Sequence, residues 1–452
     1  MAAVKKRYER PTIIKQYSGM MNKIGGRAYG APVSEIEGVP VSELVERFGS
    51  PLFVMSERLI RFNQKRAHRI FRTRYPKVQF AWSYKTNYLD AVCKVIHGEG
   101  SWAEVVSEFE YDKARRLGVP GSQILFNGPH KSTGALTKAI DEGAYIHIDH
   151  HDELYDLIEL TEKIGKTANV AVRVNMDTGI YPMWDRFGLN YENGEAWQVI
   201  SRIMQAPTLR LAGLHTHIGT YIMASEPYRI AASKLAWLAK NLREQYHHTL
   251  DYIDMGGGFA SHNTLISQYL PAEGVVPTLE QFADAIASGL ADYAPPPPEQ
   301  PTLFLETGRA LIDDAGFLVT TVLANKRLSD GRRAAIIDAG VNILFTSFWY
   351  KHTVSPEKDH GAVYEDTALY GPLCMNIDMV REQVTLPPLQ KGDKLVLHRV
   401  GAYDVTQWMQ FITLRPNVVM VMENGSVEVI RRAETLEDLV SKEQIPESLR
   451  TA

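Results

Sequence analysis

Residues 80–90 read FAWSYKTNYLD, a stretch in which a run of strand-forming side chains ends on a lysine, Lys85. The run reaches back to Val78, so the sequence predicts a strand that delivers an ionisable side chain to its carboxyl end. A lysine at the end of one strand fits a surface position equally well. The role of Lys85 therefore has to be judged from the rest of the chain.

Seven further β-rich runs follow, each separated from the next by a longer helix-like stretch. This alternation predicts parallel strands joined by crossover helices, and eight such units in about 250 residues fit a TIM-like (β/α)8 barrel. We assign residues 51–309 to this barrel, including an apolar run, LFVMS at 52–56, ahead of the eight strands. Such barrels carry their chemistry at the carboxyl ends of the strands. Polar or ionisable side chains end the eight predicted strands: Lys85, Glu104, Asn127, Asp149, Arg173, His217, Asp254 and Glu306.

Beyond residue 309 the pattern changes to many short β runs separated by turns. The ENGS turn at 423–426, placed between two apolar runs, is a hairpin signal. The sequence therefore predicts an α/β barrel followed by a C-terminal all-β domain over residues 310–452. We expect the N-terminal extension, residues 1–50, to join that β domain.

Composition limits the classes of function. The chain has 452 residues, of which 45% are hydrophobic, which is enough for two domains. Its 49 basic and 53 acidic residues form no basic tract, so nucleic acid is not an expected partner. No window approaches the ~20 apolar residues of a membrane span, and no apolar segment follows the charged N-terminus. With only two cysteines, Cys93 and Cys374, the chain is expected in the cytoplasm.

A Schiff base would explain the position of Lys85, because lysine is the only side chain with a primary amine. Burial is expected to lower the lysine pKa and to make the free amine available. The glycine triplet Gly256–Gly258 follows a predicted strand, and its backbone N–H groups are suited to a phosphate, although a triplet also forms tight turns.

Two further motifs supply aromatic and charged side chains. LHTHIG at 214–219 puts His215 and His217 on one side of a strand, and we find no other Cys, His or Asp cluster at the spacing of a metal site. An imidazole stacked on a flat cofactor fits better than a metal ligand. LETGR at 305–309 supplies a carboxylate, Glu306, and a guanidinium, Arg309. A carboxylate beside a pyridine nitrogen keeps that nitrogen protonated and makes the ring a strong electron sink.

In their order and spacing these motifs resemble the fold type III pyridoxal phosphate enzymes, specifically the diaminopimelate and ornithine decarboxylase family. The resemblance runs from about residue 40 to 430 and implies the alanine racemase and ornithine decarboxylase type of fold. The motifs that carry it are YKTN (84–87), EVVSEFE (104–110), FNGPHKS (126–132), RFG (186–188), HTHIG (215–219), DMGGGF (254–259), ETGR (306–309), IDAG (337–340), YGPLCMNID (370–378) and GAY (401–403).

The resemblance implies a cofactor, pyridoxal 5'-phosphate, and a role for each matched residue. Lys85 would carry the cofactor, His217 would stack on its ring and Glu306 would pair with its pyridine nitrogen. Cys374 would return a proton to the substrate after carbon dioxide leaves. Cys374 and Asp378 would reach the site from a partner subunit, which implies a homodimer with shared active sites. The phosphate region would be held by Gly256, Gly257, Gly258, Arg309 and Tyr403.

The sequence departs from the family at the positions that recognise the distal end of the substrate. Where the family has an acid after the cysteine, this chain has Met375, and where it has an arginine–proline pair, this chain has Thr346 and Ser347. An unpaired buried charge costs roughly 3–5 kcal/mol, so these losses predict a changed substrate. We expect a modified or conjugated amino acid of secondary metabolism. The alternatives are diaminopimelate or a basic amino acid (lysine, ornithine or arginine), recognised by other residues.

The altered surface would form a larger, less charged pocket, or its residues would be core and interface residues. Two rival functions also share this architecture. A racemase of the alanine type would have an arginine at the pyridine nitrogen, so Glu306 favours decarboxylation. An inactive homologue that binds protein partners is disfavoured by the presence of Lys85 and Cys374. The side chains considered for the larger pocket are Trp349, Tyr350, His352, Trp408 and Met409.

Overall fold

The computed structural model describes residues 31–361 and 364–450. Its first elements are a two-stranded ribbon, a short helix, a buried strand and a long helix. The long helix begins where the Ser56 hydroxyl accepts a hydrogen bond from the backbone N–H of Leu59, which caps its first turn. These elements are β1 (Glu35–Ile36), β2 (Val39–Pro40), α1 (Val41–Phe48), β3 (Leu52–Ser56) and α2 (Glu57–Arg72).

A closed parallel barrel follows. Each of its eight strands pairs in parallel with the next, and the ring closes because β12 pairs with β4 and β10 pairs with β8. The short strand β9 lies beside β8, outside the ring. The predicted eight-stranded barrel is confirmed. Its eight strands are β4 (Val78–Ser83), β5 (Trp102–Val105), β6 (Ile124–Phe126), β7 (Tyr145–Ile148), β8 (Ala168–Asn175), β10 (Leu209–His215), β11 (Tyr252–Asp254) and β12 (Thr302–Thr307), and the strand outside the ring is β9 (Leu189–Asn190).

Helices between these strands cover the outside of the barrel. Several begin at a serine or threonine whose hydroxyl accepts a backbone N–H, as Ser107, Ser132 and Thr278 do. Among the described residues, no helix combines the length and apolarity that a membrane crossing requires. The helices are α3 (Asp90–Gly98), α4 (Glu108–Arg116), α5 (Thr133–Asp141), α6 (His151–Ile164), α7 (Glu195–Met204), α8 (Glu226–Tyr246), α9 (Leu279–Ala291) and α10 (Arg309–Ile312).

The C-terminal part is built on a second sheet, as the sequence predicts. The long strand β13 is its centre and pairs antiparallel with β14, β18 and β3. The elements are β13 (Gly316–Arg327), β14 (Arg333–Ile337), β15 (Val354–Pro356), β16 (Glu365–Tyr370), β17 (Met379–Leu386), β18 (Lys394–His398), β19 (Val418–Val421), β20 (Val427–Arg431) and α11 (Leu436–Val440).

Strand β3 differs from the prediction, which put residues 52–56 in the barrel. It pairs with β13 and β19 and so belongs to the second sheet. Val41 and Leu44 of α1 pack in one apolar cluster with Leu52 and Val54 of β3. An apolar five-residue run has no periodicity that tells which sheet will receive it. The described part of the N-terminal extension thus packs on the β domain, and residues 1–30 lie outside the described residues.

Candidate active site

Lys85 lies in a turn of 3-10 helix, Tyr84–Thr86, directly after β4. Its Nζ is 2.8 and 2.9 Å from the two carboxylate oxygens of Glu104, which ends β5 in the neighbouring position. The Ser83 hydroxyl donates to the same carboxylate at 2.5 Å. The lysine side chain keeps 38% of its surface exposed, and it lines the pocket at the mouth of the barrel.

The expectation that burial lowers the pKa of Lys85 is wrong for this arrangement. Burial opposes the charged amine, but the carboxylates of Glu104 and Glu306 outweigh it and raise the pKa above its ordinary value. The amine is therefore stored as an ammonium paired with Glu104. It must lose that proton before it acts as a nucleophile.

Glu306, near the end of β12, also lines the pocket. The amide of Asn127, directly after β6, donates to both Glu306 and Glu104, which links the two carboxylates. His215 at the end of β10 places Nε2 3.3 Å from Glu306 Oε1. Four of the polar strand ends predicted from the sequence thus meet: Lys85, Glu104, Asn127 and Glu306.

His217 follows β10 and lines the pocket. Burial, reinforced by Arg173, lowers the pKa of His217 to about 3, so its ring is neutral. Its Nδ1 accepts a hydrogen bond of 3.1 Å from the N–H of Gly257, which leaves the ring proton on Nε2. The ring of Trp184 lies 5.6 Å from that of His217, centre to centre. Two aromatic side chains therefore border the same opening.

The triplet Gly256–Gly258 forms a loop that admits no side chain. A Cβ on Gly257 would lie 2.3 Å from the carbonyl oxygen of Glu306, and one on Gly258 would lie 2.1 Å from that of Gly219. Gly256 and Gly258 also have positive φ angles of 64° and 87°. The loop packs against β12 and against the segment that follows β10, and Gly257 and Gly258 line the pocket.

Arg309 follows Gly308 and lines the same pocket as this loop. The residue is 9% exposed, its guanidinium carbon lies 4.5 Å from the ring centre of Tyr403, and it donates to the hydroxyl of Tyr350. Within the described part of the chain it forms no ion pair. A buried guanidinium that forms no ion pair, in one pocket with a glycine loop, has the character of an anion site. The pocket is lined by Ser83, Lys85, Thr86, Trp184, His217, Thr220, Gly257, Gly258, Phe259, Glu306, Gly308, Arg309, Ala310 and Tyr403.

Cys374 does not line this pocket in its own chain. It is exposed, on the loop between β16 and β17. Asp378, predicted to reach the substrate, is 2% exposed, and its carboxylate accepts the backbone N–H groups of Val341 at 2.8 Å and Leu373 at 2.7 Å. The structure therefore corrects its role, because Asp378 holds the loop that presents Cys374.

The other predicted substrate residues are also outside the pocket lining. Thr346 is fully buried, and Tyr350 is 3% exposed with its hydroxyl against Arg309. Met375 follows Cys374 on the exposed loop. Of the side chains expected to form a larger pocket, Tyr350, His352 and Trp408 are buried, Trp349 is partly buried and Met409 is exposed. For the three buried side chains this favours the alternative of core residues. The Trp408 indole, for example, donates to the carbonyl of Ile343 at 2.9 Å.

Sequence reasoning missed several residues of the site. Glu104 and Asn127 were noted only as polar strand ends, yet they bind Lys85 and Glu306. Trp184 and Thr220 lie in loops after β8 and β10, where no periodicity marks them. The only available signal was position, since loops at the carboxyl ends of barrel strands line the active site.

Residues 62–313, more than half of the chain, match the family described as "Pyridoxal-dependent decarboxylase, pyridoxal binding domain". The chain belongs to this family. It is 30% identical to the diaminopimelate decarboxylase of Methanocaldococcus jannaschii over 92% of this chain and 95% of that protein. The Aquifex aeolicus enzyme of the same name is 29% identical over 95% of this chain and 98% of that protein.

A solved structure has the same architecture. The M. jannaschii diaminopimelate decarboxylase superposes with a TM-score of 0.84 at 29% identity, covering 92% of this chain and 96% of that one. This chain is accordingly a pyridoxal-phosphate-dependent amino-acid decarboxylase, a carboxy-lyase.

The residues present fit the cofactor. The glycine loop and the unpaired Arg309 suit its phosphate, and the strand-end Lys85 suits its aldehyde. When bound, pyridoxal phosphate supplies a conjugated, electron-withdrawing ring that accepts the electrons released as carbon dioxide leaves.

Proposed function

We propose that this decarboxylase removes the α-carboxylate of an amino acid whose distal end is modified or conjugated, and that meso-diaminopimelate is not its substrate. The observation that carries this proposal lies at Thr346, where the resemblance implies an arginine. The Thr346 hydroxyl is buried, 2.8 Å from both Asp404 Oδ1 and His352 Nε2. It offers no cation to a distal carboxylate, and its hydrogen bonds are already satisfied inside the core.

A second observation supports the same conclusion. Met375 takes the place of the acid that the resemblance implies beside the cysteine, and a thioether cannot pair with a distal ammonium. A substrate with both charges at its far end would leave them without these two partners. Such unpaired charges cost roughly 3–5 kcal/mol each when buried, enough to reject that substrate by a factor of hundreds.

The proposed roles of the cofactor residues follow from their contacts. Lys85 would hold the cofactor, and Glu104 lies within hydrogen-bond reach to accept the proton that the amine gives up. His217, oriented by Gly257, would pack its neutral ring against the cofactor. Glu306 would pair with the pyridine nitrogen and favour its protonated form. Arg309, Tyr403 and the glycine loop would bind the phosphate.

Cys374 is proposed to protonate the α-carbon from the partner subunit. This requires a homodimer, and an exposed apolar face around the cysteine supports one. The loops of this face contact one another, since Asn342 donates to the carbonyl of Phe411 and Val341 donates to Asp378. Contiguous exposed apolar surface marks an interaction site. The face contains Ile377, Met379, Met409, Phe411, Ile412 and Leu414, each at least 37% exposed.

Diaminopimelate remains a second candidate because of one specific finding. The M. jannaschii relative has also been solved in complex with L-lysine, at a TM-score of 0.84. L-Lysine differs from diaminopimelate by one carboxylate. If other residues of this chain read that distal group, the substrate would be diaminopimelate itself.

Carbon dioxide release from the cofactor-loaded protein separates the two. The panel contains meso-diaminopimelate, both enantiomers of lysine, ornithine and arginine, and carboxylate-bearing conjugates of 2,3-diaminopropionate, with Lys85→Ala as the inactive control. The proposal expects kcat/KM for a conjugate to exceed that for meso-diaminopimelate by about tenfold or more. A preference for meso-diaminopimelate would overturn it.

A further inference from the structure

Four ionisable side chains are buried together beneath the pocket, and the proposed function uses only one of them. Glu306, Asp254, His215 and His147 come from β12, β11, β10 and β7, and none is more than 4% exposed. One side-chain nitrogen or oxygen atom from each of the four lies within 4.8 Å of those from the other three. Charges buried this closely must either pair or be neutral.

The hydrogen bonds around Asp254 leave one oxygen unexplained. Its Oδ1 accepts the N–H of Gly256 at 2.8 Å, while Oδ2 is buried and has no hydrogen-bond partner within the described residues. The carboxylate of Glu306 is the neighbouring acceptor. An unprotonated Asp254 would therefore direct a bare oxygen at another carboxylate, whereas a protonated Asp254 would have a proton to donate.

The surroundings decide which of the two carboxyl groups carries the proton. Burial and then the charge of Glu306 raise the pKa of Asp254 well above its ordinary value. Glu306 receives the amide N–H of Asn127 and lies close enough to Lys85 to raise the pKa of that lysine. Because Glu306 already accepts the Asn127 amide while Asp254 Oδ2 has no partner within the described residues, the proton is assigned to Asp254.

The two histidines are neutral. Burial lowers the pKa of His215 and of His147 well below its ordinary value. His147 Nε2 lies 2.8 Å from the hydroxyl of Tyr252, and its ring is 4.7 Å from that of His215. The remaining charged groups that act on this cluster are Glu104 from β5, Lys85, Lys131, and Arg173 from β8.

We propose that Asp254 holds one proton and donates it from Oδ2 to the carboxylate of Glu306. Asp254 is then a positioning residue, which keeps Glu306 oriented toward the pyridine nitrogen of the bound cofactor although it does not touch the reacting atoms. Neutral His215 packs beside this pair, with Nε2 3.3 Å from Glu306 Oε1 but without a hydrogen-bond partner within the described residues. This inference rests on the role proposed above for Glu306.

The test compares two substitutions that differ only in whether a donor remains. Asp254→Asn keeps a neutral N–H donor, and Asp254→Ala removes it. In protein loaded with nitrogen-15-labelled pyridoxal phosphate, the solid-state NMR signal of the pyridine nitrogen reports its protonation. We expect Asp254→Asn to keep the wild-type signal and Asp254→Ala to move it toward the unprotonated position. The rate of decarboxylation should fall about tenfold or more in the alanine variant only, which is the size expected when a hydrogen bond to a charged group is lost.

If both variants shift the signal alike, Asp254 acts through a negative charge and the proposal is overturned. Asp404 provides the matched control, because it is also a buried aspartate with an unpartnered oxygen and lies outside the pocket lining. Asp404→Asn should leave the nitrogen signal unchanged.

A second measurement needs no variant. Infrared spectra of wild-type protein with carbon-13-labelled aspartate carboxyl groups should contain protonated-carboxyl bands at mildly alkaline pH, and Asp254→Asn should remove one of them. If no such band belongs to Asp254, the proposal fails.

The failure of the Glu306 role has its own signature. Glu306→Gln should move the nitrogen signal to the unprotonated position. If it does not, the role of Glu306 is wrong and this inference falls with it. If Glu306→Gln moves the signal and Asp254→Asn moves it as well, the role of Glu306 stands and only the proton proposed on Asp254 is refuted.

Discussion

Replacing Gly257 by alanine tests the glycine loop directly. The added Cβ would lie 2.3 Å from the carbonyl oxygen of Glu306, about 1 Å inside ordinary contact, and that atom belongs to the backbone of β12. Gly257 is not among the glycines with positive φ, so the effect isolates the clash from backbone strain. The N–H of Glu306 donates to the carbonyl of Gly256 at 2.9 Å and so links β12 to the loop. To relieve the clash, β12 or the loop must move against this hydrogen bond.

We expect a loss of about 1–3 kcal/mol in the free energy of unfolding, typical of an overpacked site. Affinity for pyridoxal phosphate should fall about tenfold or more, because the same movement displaces Glu306 and the amide of Gly257. Chemical denaturation and cofactor titration by absorbance measure the two effects. Gly274→Ala is the matched control, since its Cβ meets no atom within 4 Å. Unchanged stability and cofactor affinity in Gly257→Ala would show that the loop has room for a side chain.

Three further predictions follow from single contacts. Glu104→Gln removes the carboxylate that raises the pKa of Lys85, so the variant should capture pyridoxal phosphate covalently at lower pH than wild type does. Stopped-flow absorbance measures this pH profile, and an unshifted profile would contradict the prediction. Burial raises the pKa of Glu110 from 4.5 to about 7, so the folded state keeps a proton that the unfolded state releases in this window, and stability falls as pH rises through it. The free energy of unfolding of Glu110→Gln minus that of wild type should therefore rise by about 3 kcal/mol between about pH 4 and about pH 8. A difference that stays constant with pH would contradict this. Finally, mixing inactive Lys85→Ala with inactive Cys374→Ala should restore about a quarter of wild-type activity through heterodimers with one intact site, whereas no recovery would contradict shared sites.

Much of the fold could be predicted because the barrel strands are marked locally. Each buried parallel strand reads as an apolar run that ends in a polar side chain, and β4 with Lys85 is typical. β3 was assigned to the wrong domain, because its partners β13 and β19 lie about 260 and 360 residues further along the chain and no local signal identifies them.

The site was predictable where a residue type is tied to one chemistry, as with Lys85, Glu306 and the glycine triplet. It was not predictable where function depends on packing. His147 is an unremarked residue within β7, and only the closed barrel brings it to His215. Similarly, Thr346 was expected at the substrate, but its hydroxyl is turned into the core by Asp404 and His352. Both outcomes depend on contacts between distant segments.

Borohydride reduction shows whether this pocket binds pyridoxal phosphate through Lys85. Reduction of the loaded protein fixes the cofactor to its lysine, and peptide mass spectrometry then locates the modification. We expect a pyridoxyl group on the peptide that contains Lys85. Lys131 is an internal comparison, since it is likewise paired with a carboxylate, Glu153 at 2.6 Å, but its side chain is fully buried and it is not among the residues that line the pocket. Modification of Lys131, or of any lysine other than Lys85, would contradict this assignment.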